Sequence, residues 1–187
     1  MVKTSREAIV ASAGELFREH GYHATTLSDI ANRVGILKGS LYHHISSKEE
    51  LLIEIAAPPI TKMVKRLHEI ADVDEPSDRR LSEAIKMHIQ YLHDDYPHIF
   101  VYLQEQFGAD DSDILSMSRE YQHLLIRIIG EGIEDRIFRD DLEPRLVVLA
   151  ILGACNWLHK WYQPDSEWDI EDIRETFASL MIDGLRT

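Results

Sequence analysis

Apolar residues recur every three or four positions along almost the whole chain of 187 residues. Residues with this spacing share one face of an α-helix, and the alternation typical of a half-buried strand is not convincing anywhere in the sequence. We therefore predict an all-α fold of about nine helices. The length fits a small domain followed by a larger one.

Capping residues mark where the first helices begin and end. A Ser or Thr followed three residues later by an acidic residue satisfies N–H groups of the first helical turn, and glycine commonly follows the last turn. The pairs are Thr4 with Glu7, Thr26 with Asp29 and Ser47 with Glu50, and the closing glycines are Gly21 and Gly35. They predict a three-helix domain in residues 1–47, its third helix near 38–44, and a larger helical domain in 48–187.

Prolines punctuate the second domain. Pro58-Pro59 predicts a kink or break in the fourth helix because proline lacks the N–H that an interior position needs. Pro97 is expected to open a helix that precedes a loop at 108–113, and a long helix is expected over 114–137. Pro144 is expected to open a helix that reaches Tyr162, and Asp169 to cap the last one.

The charge distribution restricts how this chain can meet a polyanion. Its net charge of −13 excludes non-specific coating of nucleic acid by the whole surface. Residues 1–55 carry six basic and seven acidic residues, so almost all the excess acid lies beyond them. Any contact with DNA is therefore expected in the first domain, although a solvated surface explains the same distribution.

Two short helices joined by a turn with glycine, behind a supporting helix, are the arrangement that places a helix in the major groove of double-stranded DNA. The third helix offers a cation, a bare backbone, a hydroxyl, a phenol and two imidazoles, which suit bases and phosphates. These candidate DNA contacts are Lys38, Gly39, Ser40, Tyr42, His43 and His44. Leu41 is expected to face inward. By composition alone, a loop glycine and solvated histidines remain the alternative.

Helix N-termini supply positive potential for phosphates on either side of the groove. The second helix begins after Thr26 and the fourth at Lys48. Thr25, Thr26 and Lys48 therefore join the candidate DNA contacts.

Many positions in register carry a family resemblance over about 50 residues. They include Arg6, Leu16-Phe17, Gly21-Tyr22, Thr25-Thr26, Val34-Gly35, Gly39-Ser40-Leu41-Tyr42 and Ser47-Lys48-Glu49-Glu50-Leu51. This segment closely resembles the N-terminal domain of TetR/AcrR transcriptional regulators. The resemblance implies a homodimeric, ligand-responsive DNA-binding protein, usually a repressor that an effector releases from its operator. Leu37 departs from it, because the family often places Ser or Thr there to cap the recognition helix.

The second domain is expected to bind the effector. The segment 151–164 resembles the C-terminal part of TetR regulators that respond to acyl-CoA thioesters. Soft and aromatic residues could line a cavity between helices, with core packing as the alternative for each, and the amide of Asn156 needs polar partners. The candidate ligand-binding residues are Met63, Tyr91, Phe100, Leu103, Phe107, Met117, Tyr121, Asn156, Trp157 and Trp161.

The phosphates of an acyl-CoA would meet an acidic domain, so cations must gather at the mouth of its site. The candidates are Lys62, Lys65, Arg66, Arg119, Arg127 and Lys160. If none cluster, an uncharged apolar effector is favoured instead.

Two apolar stripes on the helix after Pro144 predict burial on more than one face. One contains Leu146, Ala150, Gly153, Trp157 and Trp161. With the last helix, this stripe could form an isologous four-helix interface between two protomers. Packing inside the monomer explains periodicity equally well, and the family resemblance favours the dimer.

Other classes of function are less consistent with the sequence. Cys155 and His159 share a helix face as nucleophile and base would, but no third orienting residue accompanies them, so we predict no enzyme. We expect no metal site and no cofactor. The single cysteine and the lack of a signal peptide or membrane span predict a cytoplasmic protein. A helical small-molecule-binding or interaction protein without DNA binding remains the alternative.

Overall fold

The computed structural model describes residues 5–95, 112–165 and 167–187, and within these ranges it contains eight α-helices and no β-strand. The predicted all-α fold is confirmed. The helices are α1 (Arg6–His20), α2 (Leu27–Val34), α3 (Lys38–Leu41), α4 (Lys48–Ala71), α5 (Ser77–Asp94), α6 (Ser112–Glu134), α7 (Pro144–Asn156) and α8 (Ile170–Leu185), with a 3₁₀ helix at Trp157–Lys160. The helix predicted to begin at Pro97 lies outside the described residues.

Residues 5–59 form a first compact unit around the fully buried side chains of α1, α2 and α3. Thr26 and Asp29 make the predicted capping box, in which Thr26 Oγ1 accepts from the Asp29 N–H at 3.2 Å and an Asp29 carboxylate oxygen accepts from the Thr26 N–H at 2.8 Å. The N-cap of α1 is Ser5, whose hydroxyl accepts from the Ala8 N–H. Local sequence therefore determines where these helices begin.

Of the predicted kink or break at Pro58-Pro59, the structure excludes the break, since α4 is one helix of 24 residues with both prolines inside it. Apolar residues on both sides of the prolines are buried, including Leu52, Ala56 and Val64. Their burial compensates for the two missing N–H groups. The division between the two compact units falls within this helix, between Pro59 and Ile60.

The second unit contains Ile60–Asp94 and the described residues from Ser112 onward, and α5 is its central helix. α5 packs against α6, α7 and α8 and buries Leu81, Ile85 and Ile89. α6 ends at Glu134, three residues before the predicted Ile137, because the Ile137 and Phe138 N–H groups both turn back to the Gly132 carbonyl. α7 ends at Asn156 rather than Tyr162 because the chain tightens into the 3₁₀ helix.

None of the helices that the structure describes is both long enough and apolar enough to cross a membrane.

Candidate nucleic-acid interface and effector domain

The turn between α2 and α3 fixes how the third helix is presented. Gly35 ends α2 with φ 77° and ψ 32°, a left-handed conformation that glycine adopts without strain. The Ile36 N–H then donates to the Ala31 carbonyl at 3.0 Å. Leu41 is fully buried, which fixes one side of α3 in the core and leaves the other side to solvent.

The solvent side of α3 and the turn after it carry most of the predicted DNA contacts. Lys38, Gly39, Tyr42 and His43 are exposed, and Ser40 and His44 are partly buried. Beyond its chain neighbours and the backbone of its own helix, a Cβ built on Gly39 would meet no described atom within 4 Å, so a ligand can approach the backbone closely there. This surface, residues 38–44 without the buried Leu41, is called the α3 surface below.

The structure corrects the predicted DNA contact of the Thr25 side chain. Thr25 is 1% exposed, and its hydroxyl lies 2.8 Å from the Gly21 carbonyl and 3.2 Å from the Leu16 carbonyl. It therefore joins the end of α1 to the start of α2 inside the unit. Thr26, by contrast, is exposed at the N-cap of α2.

The Lys48 side chain, predicted to contact phosphate, is held by groups within the first unit. Its Nζ donates to the carbonyls of Tyr22 at 2.8 Å and Thr25 at 3.0 Å, and it lies 4.2 Å from the centroid of the Tyr22 ring. These contacts tie the first turn of α4 to the loop between α1 and α2. An ammonium group has three donors, so one remains for a phosphate after these two bonds.

Arg6 joins the end of the α3 surface to α4. Its guanidinium donates to the His44 carbonyl, to Glu50 at 2.5 Å and to Glu54 at 2.7 Å. Hydrogen bonds to Glu54 and then Glu50 raise the pKa of the Arg6 guanidinium above its ordinary value, and the bond from Arg6 lowers the pKa of the Glu50 carboxyl. This role of Arg6 could not be predicted from spacing, because its partners are 38 or more residues away in the chain.

In the second unit, a buried histidine brings together two of the predicted effector contacts. His88 Nδ1 lies 2.9 Å from the Tyr121 hydroxyl, and His88 Nε2 lies 3.0 Å from the Asn156 side-chain oxygen. The amide oxygen can only accept, so Nε2 carries the proton and Nδ1 accepts from Tyr121. The amide of Asn156 thus has the polar partner that the sequence analysis expected. His88, Tyr121 and Asn156 are called the His88 cluster below.

His88 was not among the predicted site residues, although the sequence around it carries a signal. Buried residues on α5 follow the helical spacing 81, 84, 85, 88, 89 and 92. A histidine within such an apolar stripe must find polar partners inside the protein. That requirement would have directed attention to it.

Burial lowers the pKa of His88 below its ordinary value, with the bond to Asn156 acting in the opposite direction. The unfolded chain takes up this proton near pH 6.5, whereas folded His88 stays neutral to lower pH. We therefore expect the free energy of unfolding to fall as the pH drops from 7 to 5, by up to about 1.4 kcal/mol per pH unit from this group. Denaturant titrations across this range measure the slope.

The His88→Phe variant should lose that part of the slope, whatever its absolute stability. Tyr121→Phe is the matched control, because it removes a hydrogen-bond partner but keeps the imidazole, and its slope should persist. A His88→Phe slope equal to that of the wild type would contradict the prediction.

The remaining predicted effector contacts lie in different settings. Met63 and Tyr91 are partly buried, and the sulfur of partly buried Met117 accepts from the Thr61 hydroxyl at 3.4 Å. Trp157 is 58% exposed and Trp161 is 38% exposed, which does not fit a lining of an enclosed cavity in one protomer. Phe100, Leu103 and Phe107 lie outside the described residues.

Trp157 instead ends an exposed apolar stripe on α7. The stripe follows helical spacing and is accessible along its whole length in the single chain. Its members are Leu146, Leu149, Ala150, Gly153, Ala154 and Trp157. The opposite side of α7 buries Val148, Ile151 and Cys155. If both faces of α7 are to be buried, as predicted, another molecule must cover the exposed stripe.

The Cys155 thiol is not arranged as a nucleophile. Desolvation raises its pKa to about 12, so it stays protonated at neutral pH. The predicted partner His159 directs its Nδ1 to the Asn156 carbonyl at 2.6 Å instead.

Two of the cations considered for an effector's phosphates already pair with carboxylates. Arg66 lies 2.8 Å from Glu69, and Arg127 lies 2.6 Å from Asp72. Lys62, Lys65, Arg119 and Lys160 are exposed. Lys62 and Lys65 are three residues apart on α4 and therefore neighbours on its surface.

Two family models match this chain. The model described as "Bacterial regulatory proteins, tetR family" matches residues 9–55, and the one described as "Tetracyclin repressor-like, C-terminal domain" matches residues 74–185. Together they cover both units and more than half of the chain.

Several known proteins are similar to this chain, and their alignments cover nearly the whole of both chains. The HTH-type transcriptional repressor KstR2 of Mycobacterium tuberculosis is 28% identical over 188 residues, covering 98% of this chain and 94% of KstR2. The structure of this ketosteroid transcriptional regulator aligns with a TM-score of 0.83 at 26% identity, over 100% of this chain and 97% of that one. The fatty acid metabolism regulator protein of Bacillus subtilis is 23% identical over 95% of this chain and 93% of its own.

One similar structure contains both a small-molecule ligand and DNA. It is AibR in complex with isovaleryl coenzyme A and operator DNA, which aligns with a TM-score of 0.78 at 24% identity over 97% of each chain. At this identity the likeness establishes the shared fold.

Proposed function

Because this chain belongs to the TetR family of bacterial regulatory proteins, we propose that it is a homodimeric repressor that an acyl-CoA thioester releases from its operator. It is a ligand-responsive DNA-binding transcriptional regulator and not an enzyme. Its partners are operator DNA, a small-molecule effector and a second copy of the chain. Repression, the class of effector and a cytoplasmic location are the proposed refinements.

The α3 surface is the observation that carries DNA binding. Buried Leu41 holds the helix, while Lys38, the bare backbone at Gly39 and the Tyr42 hydroxyl face solvent. A cation, an open backbone and a phenol can bond phosphates and base edges without rearrangement of the core. We assign DNA contacts to Thr26, Lys38, Gly39, Ser40, Tyr42, His43, His44 and Lys48.

Homodimerisation places two α3 surfaces on one duplex. The exposed stripe of α7 supplies an apolar surface that an identical stripe can cover across a two-fold axis. Gly153 and Ala154 allow close approach of the partner helix, and Leu146, Leu149 and Trp157 supply apolar area. We assign Trp157 to this interface rather than to the effector site.

The effector is proposed to be an acyl-CoA thioester. Similar proteins are named for ketosteroid or fatty acid metabolism, and AibR is described with isovaleryl coenzyme A. In this chain the phosphates fit Lys62 and Lys65, neighbouring exposed cations in an otherwise acidic domain. We place the acyl portion in the part of the second unit that contains Tyr121 and Asn156, two of the predicted effector contacts, which lie together at His88.

Release from DNA follows from unequal affinity. An effector shifts the operator equilibrium only as far as it binds the DNA-free conformation more tightly than the DNA-bound one. A 100-fold weaker operator complex therefore requires an effector that prefers the free conformation about 100-fold, or about 2.7 kcal/mol.

The effector class is tested by titrating acyl-CoA thioesters of different chain length against the protein bound to a selected operator. We expect release by one thioester but not by free coenzyme A or the matching free acid. The Lys62→Glu/Lys65→Glu variant should bind that thioester about 10-fold more weakly or worse, since it loses charge-assisted contacts to phosphate. Its affinity for the corresponding acyl-pantetheine, which lacks the nucleotide phosphates, should remain that of the wild type.

Arg139→Glu is the matched control, because it reverses an exposed charge in the connection between α6 and α7. It should respond as the wild type does. Release by an uncharged apolar molecule alone, with equal thioester affinity in all three proteins, would contradict an acyl-CoA effector.

A further inference from the structure

Leu37 is an apolar side chain in an unusual place. It directly precedes α3 and is 79% exposed, more than any other large hydrophobic residue in the described part of the chain. Its neighbour Ile36 packs against the core of the first unit. Most of the apolar surface of Leu37 is therefore not buried within the protomer.

The position of this exposure is specific. In the described part of the first unit, the exposed large hydrophobic residues are Leu37, which directly precedes the α3 surface, and Tyr42, which belongs to it. The other exposed ones lie in the second unit, most of them on α7, α8 or the segment between those helices. Apolar exposure in the first unit thus coincides with the face that approaches DNA.

A leucine side chain can neither donate nor accept a hydrogen bond, so it cannot bond a phosphate as the hydroxyl of a serine or threonine would. In the major groove, the apolar group on a base edge is the C5-methyl of thymine, which distinguishes thymine from the other three standard bases. We propose that Leu37 contacts this methyl group and makes a thymine in each half-site a specificity determinant of the operator. This inference rests on the proposed function, since it assumes that the α3 surface enters the major groove.

The expected preference follows from burial of one methyl group against the leucine. Replacing the contacted thymine by deoxyuridine removes that methyl and leaves the base-pairing edge intact. Loss of one buried methyl weakens affinity about fourfold. Replacing it in both half-sites of a symmetric operator should therefore weaken binding about 15-fold.

The experiment measures the affinity of the full-length protein for a selected operator in which each thymine is replaced in turn by deoxyuridine. We expect one symmetry-related pair of positions to show the loss. The Leu37→Ser variant should bind thymine and deoxyuridine operators equally at that pair, because serine has no apolar side chain to cover the methyl. Serine is also a favoured residue before a helix, so this variant is expected to fold.

Val73→Ser is the matched control, since Val73 is an exposed apolar residue of the second unit, 48% exposed. It should keep the wild-type sensitivity to deoxyuridine. Operator binding that no thymine replacement weakens, or a loss that persists unchanged in Leu37→Ser, would overturn the role of Leu37 while leaving DNA binding intact. Failure to bind any duplex would instead overturn the proposed function and this inference with it.

Discussion

The Leu149→Glu variant is expected to be monomeric at concentrations where the wild type is a dimer, and to bind a full operator at least about 100-fold more weakly. Leu149 lies in the exposed stripe of α7 and is 50% exposed in the single chain. In an isologous interface the substitution occurs twice. Because about half of the side chain is left to bury, each copy loses about 1 kcal/mol of apolar burial and also places an unpaired carboxylate among apolar side chains.

The loss of operator affinity follows from the dimer's geometry. A dimer presents two α3 surfaces to two half-sites on one duplex, whereas a monomer gains the contacts of only one. Sedimentation velocity measures the oligomeric state, and fluorescence anisotropy with full and single half-site duplexes measures affinity. We expect the variant to bind the full operator about as weakly as a single half-site.

Val73→Glu is the control. The exposed fraction of Val73, 48%, is similar to that of Leu149, but Val73 lies in the connection between α4 and α5. It should remain dimeric and bind the operator normally. A Leu149→Glu protein that stays dimeric with full operator affinity would place the subunit interface elsewhere.

Lys38→Glu is expected to weaken operator binding by about 100-fold or more at low salt. The side chain is exposed on the α3 surface, so the substitution should leave the fold unchanged. It removes a cation and adds an anion beside the phosphates, once in each protomer. Because the effect is electrostatic, it should shrink as salt is raised.

The neutral variant Lys38→Gln tests whether Lys38 contacts a phosphate. If Lys38 binds phosphate, the slope of log affinity against log salt should fall by about one unit per protomer, with similar losses for all sequences. Lys160→Gln, an exposed lysine of the 3₁₀ helix, should leave that slope unchanged. An unchanged slope and affinity in Lys38→Gln would remove Lys38 from the interface.

The parts of the fold that sequence predicted are those determined within a few residues. The capping box of Thr26 and Asp29 and the turn at Gly35 involve neighbours in the chain. The sequence left a kink and a break at Pro58-Pro59 equally open, because local rules count the missing N–H groups, whereas burial along both halves of α4 depends on residues far away in the chain.

Among the candidate site residues too, those whose setting depends on chain neighbours could be predicted, and those whose partners are distant in the chain could not. The exposure of Lys38 and Tyr42 could be predicted because both lie within a few residues of Leu41, which was expected to face inward. The constraints on Lys48, whose carbonyl partners are 23 and 26 residues away, could not be inferred from spacing. The His88 cluster joins three helices, and its bonds span 33 and 68 residues.

Trp157 shows a different limit. Sequence indicated that an aromatic stripe on α7 had to be covered, but a stripe looks the same whether it faces a ligand or a second subunit. Its 58% exposure in the single chain is what favours the subunit interface.

If two copies of the α3 surface bind one duplex, selection of bound DNA from a random pool by the full-length protein should recover both half-sites together. We expect enrichment of an inverted repeat with half-site centres about 34–36 Å apart or a multiple of that distance. Binding to it should weaken steeply with salt. Recovery of no preferred sequence, together with no binding to any duplex at low ionic strength, would contradict this mode of binding.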